Sequence, residues 1–257
     1  MPNTPAKYRE SLVSFIDLLG FRQFVETAGT DAQRVLDVLS IVRQTGPDSA
    51  PSSHPSDASS IIFSDSLIRC RPLDAFDDVL DAIFVELDII SKIVRDFIWR
   101  GLFPRGGVTI GPVFMDSSQG IVFGPGYLRA YDLESKWAVY PRIIVDDSIK
   151  SKIDGAVANT DHTADDIEQL RNSLTLDDTR TFYLDYLRTL DHDDATDDVR
   201  FLRHHQMLIA ERLETHKSNP SVWRKYAWLG EYHNRFINAR LREYLPDVEK
   251  LEEYLVP

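Results

Sequence analysis

Short apolar runs and amphipathic stretches alternate through the first part of the chain. Leu12–Ile16 is typical of a buried strand, and Phe21–Val42 carries apolar residues at helical spacing. Ile61–Phe63 and Leu67–Cys70 are two further apolar runs, separated by three polar residues. That pattern predicts a β-hairpin with Asp65 at its tip.

Four more elements follow before residue 150. Asp74–Trp99 has a continuous apolar stripe and predicts a long helix, and Tyr127–Trp137 predicts a shorter one. Phe103–Phe114 and Pro141–Val145 are typical of strands. The order strand, helix, hairpin, helix, strand, helix, strand predicts an α/β (α+β) fold of ferredoxin-like or palm type, an open sheet with helices on one face.

The acidic content of the chain changes after Asp147. We predict a first domain at residues 1–150 and a mostly helical C-terminal extension at 151–257 that packs on it. The extension is predicted to contain an acidic connection, a strand and two helices, at Asp154–Asp178, Thr181–Leu187, Val199–His216 and Ser221–Tyr244. Thr45–Ser60, rich in Ser, Pro and Asp, is predicted as a solvated loop.

Composition narrows the class of protein. The formal net charge of -12 argues against a partner such as duplex DNA or an anionic membrane. The single cysteine, Cys70, excludes an intrachain disulfide and suits a reducing compartment. No apolar run is long enough to span a bilayer. We therefore predict a cytoplasmic protein with no nucleic-acid or membrane partner.

Two aspartates carry the candidate chemistry. Asp17 ends the first apolar run, and Asp65 lies between the two strands of the predicted hairpin. A carboxylate in a buried strand is costly unless a partner neutralises it, and a divalent cation is such a partner. Carboxylates converging from adjacent strands hold pairs of hard cations about 3.5 to 4 Å apart. The alternative is that Asp17 caps a helix and Asp65 occupies a turn, where Asp is common.

Gly20 separates the first predicted strand from the first predicted helix. It lets the backbone turn sharply, so that the amides of Leu19, Gly20 and Phe21 would point at a phosphate from the positive end of that helix. A metal site beside a helix start favours a nucleoside triphosphate as the ligand.

These residues resemble a known family. Phe15–Phe21 looks like the first metal motif of class III nucleotidyl cyclases, and Asp65 falls where that family has its second metal aspartate. Arg105–Val113 is similar to the family's glycine-punctuated strand. Gly124–Glu134 matches in length the segment that carries the family's base-reading and transition-state residues. The resemblance covers Leu12–Val145, about half of the chain.

Several positions depart from the purine cyclases of that family. Ile61 stands where an adenine-reading lysine is expected, and Pro125, Leu128 and Asp132 replace three further polar residues. The chain therefore keeps the metal ligands and lacks the purine-reading residues. In this combination it resembles the pyrimidine nucleotide cyclases of bacterial Pycsar anti-phage defence. Those cyclases also share the turn and the C-terminal stretch found here at Tyr140–Arg142 and Lys225–Leu229.

The resemblance implies a reaction and a set of site residues. Asp17, the Leu18 carbonyl and Asp65 would hold two divalent cations, Mn²⁺ or Mg²⁺, on UTP or CTP, and the products would be a 3′,5′-cyclic nucleotide and pyrophosphate. Arg129 is the candidate for the cation at the developing charge, which gives the catalytic set Asp17, Asp65 and Arg129. Lys136 is a weaker candidate.

Two alternatives remain for the arginines. Arg129 is alternatively a surface residue paired to Asp132 or Glu134, and for Arg105 a structural ion pair is the favoured interpretation. The family also implies a homodimer, with the metals on one protomer and the helix at 127–136 supplied by the other.

The sequence leaves the substrate open. A single side chain or main-chain amide suffices to discriminate UTP from CTP, so the residues do not decide between them. UTP is preferred on family resemblance alone. A purine nucleotidyl cyclase, another palm-type nucleotidyl transferase and a non-catalytic nucleotide sensor remain as alternatives. The activating signal, the base-reading residues and the role of the C-terminal extension are not determined by the sequence.

Overall fold

The computed structural model describes residues 6–40, 58–158, 161–190, 195–245, 248 and 250–257. Within them the predicted α/β class is confirmed. The strands are β1 Arg9–Leu19, β2 Ser59–Phe63, β3 Ser66–Pro72, β4 Phe103–Asp116, β5 Ile121–Phe123, β6 Ile143–Val145, β7 Leu174–Leu176 and β8 Phe182–Leu184. The hairpin prediction is confirmed by β2 and β3. Most of the predicted loop Thr45–Ser60 lies outside the described residues, and its last two residues begin β2.

The strands form one mixed sheet in the order β2-β3-β1-β4-β6-β8-β7, with β5 paired to the end of β4. The central strand β1 runs antiparallel to both β3 and β4, and β6 runs parallel to β4. β7 and β8 lie beyond residue 150 and yet extend the same sheet. The division at residue 150 remains a prediction, although hydrogen-bonded strands link its two sides.

The helices are α1 Phe21–Ala28, α2 Ala32–Leu39, α3 Val79–Trp99, α4 Pro125–Asp132, α5 Asp147–Asp154, α6 Ala164–Asn172, α7 Ala195–Thr215 and α8 Pro220–Tyr244. A π-helical turn, Leu133–Trp137, continues α4. The single helix predicted at Phe21–Val42 is wrong, because Gly29 adopts a φ of 59° and Asp31 caps a second helix.

Helices cover both faces of the sheet, which corrects the expectation of helices on one face. Even-numbered residues of β1, such as Leu12 and Ile16, belong to the large core that includes α3. The odd-numbered Val13 and Phe15 pack with Ala130 of α4 on the opposite face. Alternation along the strand therefore gives β1 two buried faces. Within the described residues no helix combines the length and apolar character needed to cross a membrane.

A buried ion cluster ties α3 to β3. Glu86 accepts hydrogen bonds from Arg69 Nε at 3.0 Å and from Arg71 Nε at 2.7 Å. All three side chains are at most 1% exposed. Burial on its own would raise the pKa of Glu86, but the two guanidinium groups hold it below its usual value. The carboxylate thus neutralises one of two buried positive charges.

A buried histidine pair joins α7 to α8. His205 Nδ1 lies 2.9 Å from His233 Nδ1, and His233 Nε2 lies 2.8 Å from the carbonyl oxygen of Tyr254. The carbonyl only accepts, so a neutral His233 donates to it and accepts at Nδ1 from His205. His205 Nε2 then accepts from the hydroxyl of Tyr186, which lies 2.9 Å away. One set of neutral tautomers therefore satisfies every bond in the network.

We expect this pair to make the fold less stable in mild acid. Burial lowers the pKa of His233 to about 4 and that of His205 well below its usual value. The unfolded chain therefore binds protons that the folded chain excludes. The free energy of unfolding has its full value above about pH 6.5 and falls as the pH drops towards 4. For His233 alone the full loss is about 3 kcal/mol.

Urea unfolding at pH 7 and pH 5 measures this effect. The free energy of unfolding should be lower at pH 5, and the variant His216→Gln, which lies outside the network, should keep the same dependence. Equal stability at the two pH values would contradict the neutral histidine pair.

Candidate functional site

The two predicted metal aspartates lie next to each other across the β1–β3 ladder. Asp17 pairs in register with Ser66, the residue that follows Asp65. The amide of Leu18 donates to the Asp65 carbonyl oxygen at 3.0 Å, which fixes the hairpin tip against the end of β1. Two elements 48 residues apart in the chain thus bring Asp17, Leu18 and Asp65 to one corner of the sheet.

Arg105 of β4 links Asp17 to a third carboxylate. Its Nε donates to Asp17 Oδ2 at 3.0 Å across the β1–β4 ladder. Its Nη2 lies 2.6 Å from Oε1 of Glu134, a side chain only 5% exposed in the π-helical turn. The ion-pair interpretation of Arg105 is confirmed. Glu134 as a member of this site is new, because the sequence pointed to it only as a partner for Arg129.

Gly107 of β4 allows the α4 segment to approach the sheet this closely. A Cβ on Gly107 would lie 2.2 Å from Cβ of Leu133 and 3.0 Å from the Ala130 carbonyl oxygen. A Cβ on Gly106 would lie 2.4 Å from the main-chain oxygen of Phe15. Gly107 therefore places Glu134, the neighbour of Leu133, within reach of Arg105, whereas Gly106 allows β4 to lie close to β1.

Gly107→Ala should test this packing. The added methyl group has no space, so Leu133 and the π-helical turn have to move, at a cost of about 1 to 3 kcal/mol. We expect a lower free energy of unfolding and a weaker coupling of Glu134 to Arg105. Gly155→Ala serves as the control for the loss of a glycine, because Gly155 has a φ of -76° that alanine adopts readily and a Cβ there would come no nearer than 3.2 Å to another atom. A Gly107→Ala protein as stable as the wild type would show that the helix is not held against the strand.

The site holds more negative than positive charge. Burial is the main reason why the pKa values of Asp17 and Glu134 are raised, and repulsion from neighbouring carboxylates, Asp65 among them, adds to it. Arg105 and Lys225 oppose the shift in both cases. Three carboxylates thus face two cationic side chains, and a bound cation would offset the excess of negative charge.

A divalent cation fits this donor set. Asp17, Asp65 and the main-chain carbonyl of Leu18 offer only oxygen, which is the ligand type that Mg²⁺ and Mn²⁺ prefer. Glu134 Oε1 is a buried oxygen without a well-aligned hydrogen-bond donor. In the part of the chain that the structure describes, no group of three or more His, Cys, Asp or Glu side chains is arranged to hold a metal. The predicted ligand set relies on two carboxylates and a main-chain oxygen.

The predicted phosphate-binding residues lie directly beyond the aspartates. Gly20 has a φ of 79°, in the left-handed region that favours glycine, and α1 begins at the next residue, Phe21. The first turn of α1 contains no acidic residue. A Cβ on Gly20 would meet nothing within 4 Å, so the chain at Leu19 and Gly20 borders open space. This geometry agrees with the predicted approach of a phosphate.

Arg129 contacts neither Asp17 nor Asp65 among the described residues. It donates to Asp146 through Nε and Nη2, and its side chain is 47% exposed. Asp146 also accepts from Thr109 at 2.6 Å. The pairings considered from the sequence do not form, because Asp132 pairs with Lys136 at 2.9 Å and Glu134 contacts Arg105. Within one protomer Arg129 is therefore held by Asp146 at a place different from that of Asp17 and Asp65.

The C-terminal helix α8 also reaches the site. Lys225 interacts electrostatically with Asp17, Glu134 and Arg105, and burial lowers the pKa of its ammonium group. The sequence singled out the stretch Lys225–Leu229 by its resemblance to the pyrimidine cyclases. Nothing in the sequence connected that stretch to Asp17.

Comparison with known proteins gives structural similarity only. No protein-family model matches the chain, and no curated protein sequence matches it. The guanylyl cyclase domain of the RhoGC fusion protein from the fungus Blastocladiella emersonii aligns at 16% identity and a TM-score of 0.46, covering 70% of this chain and 98% of that one. The adenylyl cyclase CyaB from P. aeruginosa aligns at 14% identity and a TM-score of 0.44, covering 59% of this chain and 83% of that one.

A third similar structure is a class III adenylyl cyclase-like ATP-binding protein from Pseudomonas aeruginosa. It aligns at 11% identity and a TM-score of 0.43, covering 75% of this chain and 40% of that one. Similarity at this level says nothing about substrate or activity, which have to be inferred from the site residues.

Proposed function

We propose that this chain is a nucleotidyl cyclase that converts a nucleoside triphosphate to its 3′,5′-cyclic monophosphate and pyrophosphate. The observation that carries the proposal is the meeting of Asp17 and Asp65 at the corner of the sheet, directly before the helix start at Gly20. Carboxylates that bind cations beside a phosphate-accepting helix start are the parts that phosphoryl transfer requires.

Asp17, the Leu18 carbonyl and Asp65 would hold two divalent cations, Mn²⁺ or Mg²⁺. Such ions lower the pKa of the 3′-hydroxyl group and neutralise charge at the α-phosphate. The chain's own residues position the reactants. Arg105 fixes the carboxylate of Asp17 by a hydrogen bond from the neighbouring strand β4. The amides of Leu19, Gly20 and Phe21 would orient the phosphates. The 3′-hydroxyl group would give up its proton to solvent, its oxygen would attack the α-phosphorus, and the bond to the bridging oxygen of pyrophosphate would break.

The proposed base is a pyrimidine, with UTP preferred to CTP. Ile61 and Pro125 support this choice, because they stand where the family's purine cyclases have a base-reading lysine and a base-reading aspartate. A cyclic pyrimidine product would act as the second messenger of an anti-phage response in a bacterial cytoplasm.

The active form is proposed to be a homodimer. Helix α4 exposes Leu128 to 61% and Tyr131 to 45%, and Trp137 follows at 52%. A second copy covering this apolar surface would bring its own α4 towards the metal corner. Arg129, the proposed transition-state cation, would then act in the opposite protomer after leaving Asp146.

Incubation of the protein with Mn²⁺ and each of the four ribonucleoside triphosphates tests the reaction and its substrate. Chromatography should identify a cyclic pyrimidine nucleotide and pyrophosphate. A cyclic purine product would keep the cyclase and overturn the pyrimidine assignment. Binding of a triphosphate without turnover would favour a nucleotide sensor and overturn the proposed enzyme.

A further inference from the structure

A cavity of about 530 Å³ lies between the start of α1 and the two long C-terminal helices. Leu19 and Gly20 form one edge of it, and Lys225 and Tyr226 of α8 form the opposite edge. The cavity therefore begins where the proposed phosphate-binding residues end. It is bordered both by the end of β1 and by the C-terminal helices α7 and α8, whose role the sequence left undetermined.

The lining of this cavity is cationic in a protein that is strongly anionic. Arg34, Arg212 and Lys225 border it, and Glu211 is the one acidic residue among its described lining residues. The whole chain carries a net charge of -12. A local excess of positive charge on such a background raises the concentration of an anion at that point.

Arg212 and Lys225 differ in the contacts that they make within the protein. Arg212 donates through Nη2 to the carbonyl oxygen of Gly101 at 3.1 Å, which anchors α7 against the loop before β4. Among the described residues the ammonium group of Lys225 forms no ion pair, and it is attracted at longer range by Asp17 and Glu134. Lys225 is thus half-buried between the acidic corner and the cavity, with its charge available to a ligand.

We infer that this cavity binds the β- and γ-phosphates of the substrate and that Lys225 is the residue that holds them. The identity of the anion as the substrate's tail rests on the proposed function, whereas the affinity of the cavity for a polyphosphate does not. A triphosphate that crosses Leu19 and Gly20 from the metal corner has its terminal phosphates at the mouth of the cavity. The C-terminal helices then form part of the active site.

This placement also gives Lys225 a part in the reaction. Breaking the bond between the α-phosphorus and the bridging oxygen leaves the new negative charge on pyrophosphate, and an ammonium group beside that anion stabilises it. Lys225 is a compact point charge on a flexible stem, and it accommodates both the bound triphosphate and the departing pyrophosphate. Loss of this charge should weaken binding of the substrate's β- and γ-phosphates and slow the cleavage of the bond between the α-phosphorus and pyrophosphate.

Calorimetric titration with inorganic tripolyphosphate measures the affinity without any nucleotide chemistry. Lys225→Met should bind tripolyphosphate at least about 10-fold more weakly than the wild type, and Lys225→Arg should stay within about 3-fold, because it retains the charge. Arg224→Met removes the exposed neighbouring cation and should bind as the wild type does. The thermal unfolding of each variant shows whether the fold is intact.

Kinetics with the triphosphate substrate separate this inference from the proposed function. Weaker tripolyphosphate binding by Lys225→Met, in a protein that cyclises no nucleotide, would support the cavity and overturn the cyclase. Turnover by Lys225→Met with unchanged KM and unchanged inhibition by pyrophosphate would overturn the cavity assignment and leave the cyclase standing. Equal losses in Lys225→Met and Arg224→Met would also overturn it, since general surface charge would then explain the binding.

Discussion

Asp65→Asn should reduce nucleotide turnover by more than about 100-fold while the fold stays intact. The substitution removes the charge that binds the cation and keeps the main-chain carbonyl that accepts from Leu18. Asn is tolerated in turns as well as Asp is, so the hairpin tip should keep its conformation. Initial rates at saturating Mn²⁺ and triphosphate measure the loss, and thermal unfolding measures the fold.

Asp88→Asn provides the matched control. Asp88 lies on the exposed side of α3 in an i, i+4 pair with Lys92 and makes the same change of charge away from the site. Its turnover should equal that of the wild type. Full turnover by Asp65→Asn would remove the metal assignment, and equal losses in both variants would point to net charge as the cause.

Glu86→Ala should lower the free energy of unfolding by about 3 to 5 kcal/mol. Removal of the carboxylate leaves Arg69 and Arg71 buried as two uncompensated positive charges at the contact between β3 and α3. Because this contact supports the strand that carries the hairpin, Asp65 should also lose its fixed position. Urea unfolding followed by circular dichroism measures the change in stability.

The control for Glu86 is an exposed ion pair of the same kind. Asp74→Ala breaks the pair between Arg9 and Asp74, whose side chains are 52% and 64% exposed. Solvent screens such a pair, so its loss should change stability far less than the loss of Glu86 does. Similar losses in the two variants would contradict the importance of the buried cluster.

Local signals in the sequence located the aspartates of the site. Alternating apolar runs and a polar interruption predict the hairpin, and a glycine after an apolar run predicts the turn into α1. Both signals come from residues within a few positions of each other, so no knowledge of the tertiary fold is needed. Asp17 and Asp65 then meet because β1 and β3 pair directly.

The rest of the site depends on packing between distant elements. Glu134 reaches Arg105 because Gly107 lets the π-helical turn approach β4. Lys225 reaches the same corner because α8 packs against the large core, and its distance from Asp17 in the chain is 208 residues. Hydrophobic periodicity predicts α8 as an element and does not specify which of its polar residues face a neighbour.

The same limit explains the differences in the fold. β8 lies within the strand predicted at Thr181–Leu187, whereas β7 has only three residues and lies inside the predicted acidic connection. No local pattern shows that β8 pairs with β6 of the first part of the chain. The covering of the second sheet face by α4 depends on small residues such as Ala130 and Gly126, which have weak apolar signals of their own. Tertiary contacts determined both features.

Mass spectrometry of the products formed from UTP and Mn²⁺ identifies the nucleophile of the reaction. We expect 3′,5′-cyclic UMP and pyrophosphate in equal amounts, because the 3′-hydroxyl group of the substrate is the nucleophile. Linear UMP or UDP, which would show water as the nucleophile, would contradict this expectation, and so would the absence of turnover with all four nucleoside triphosphates.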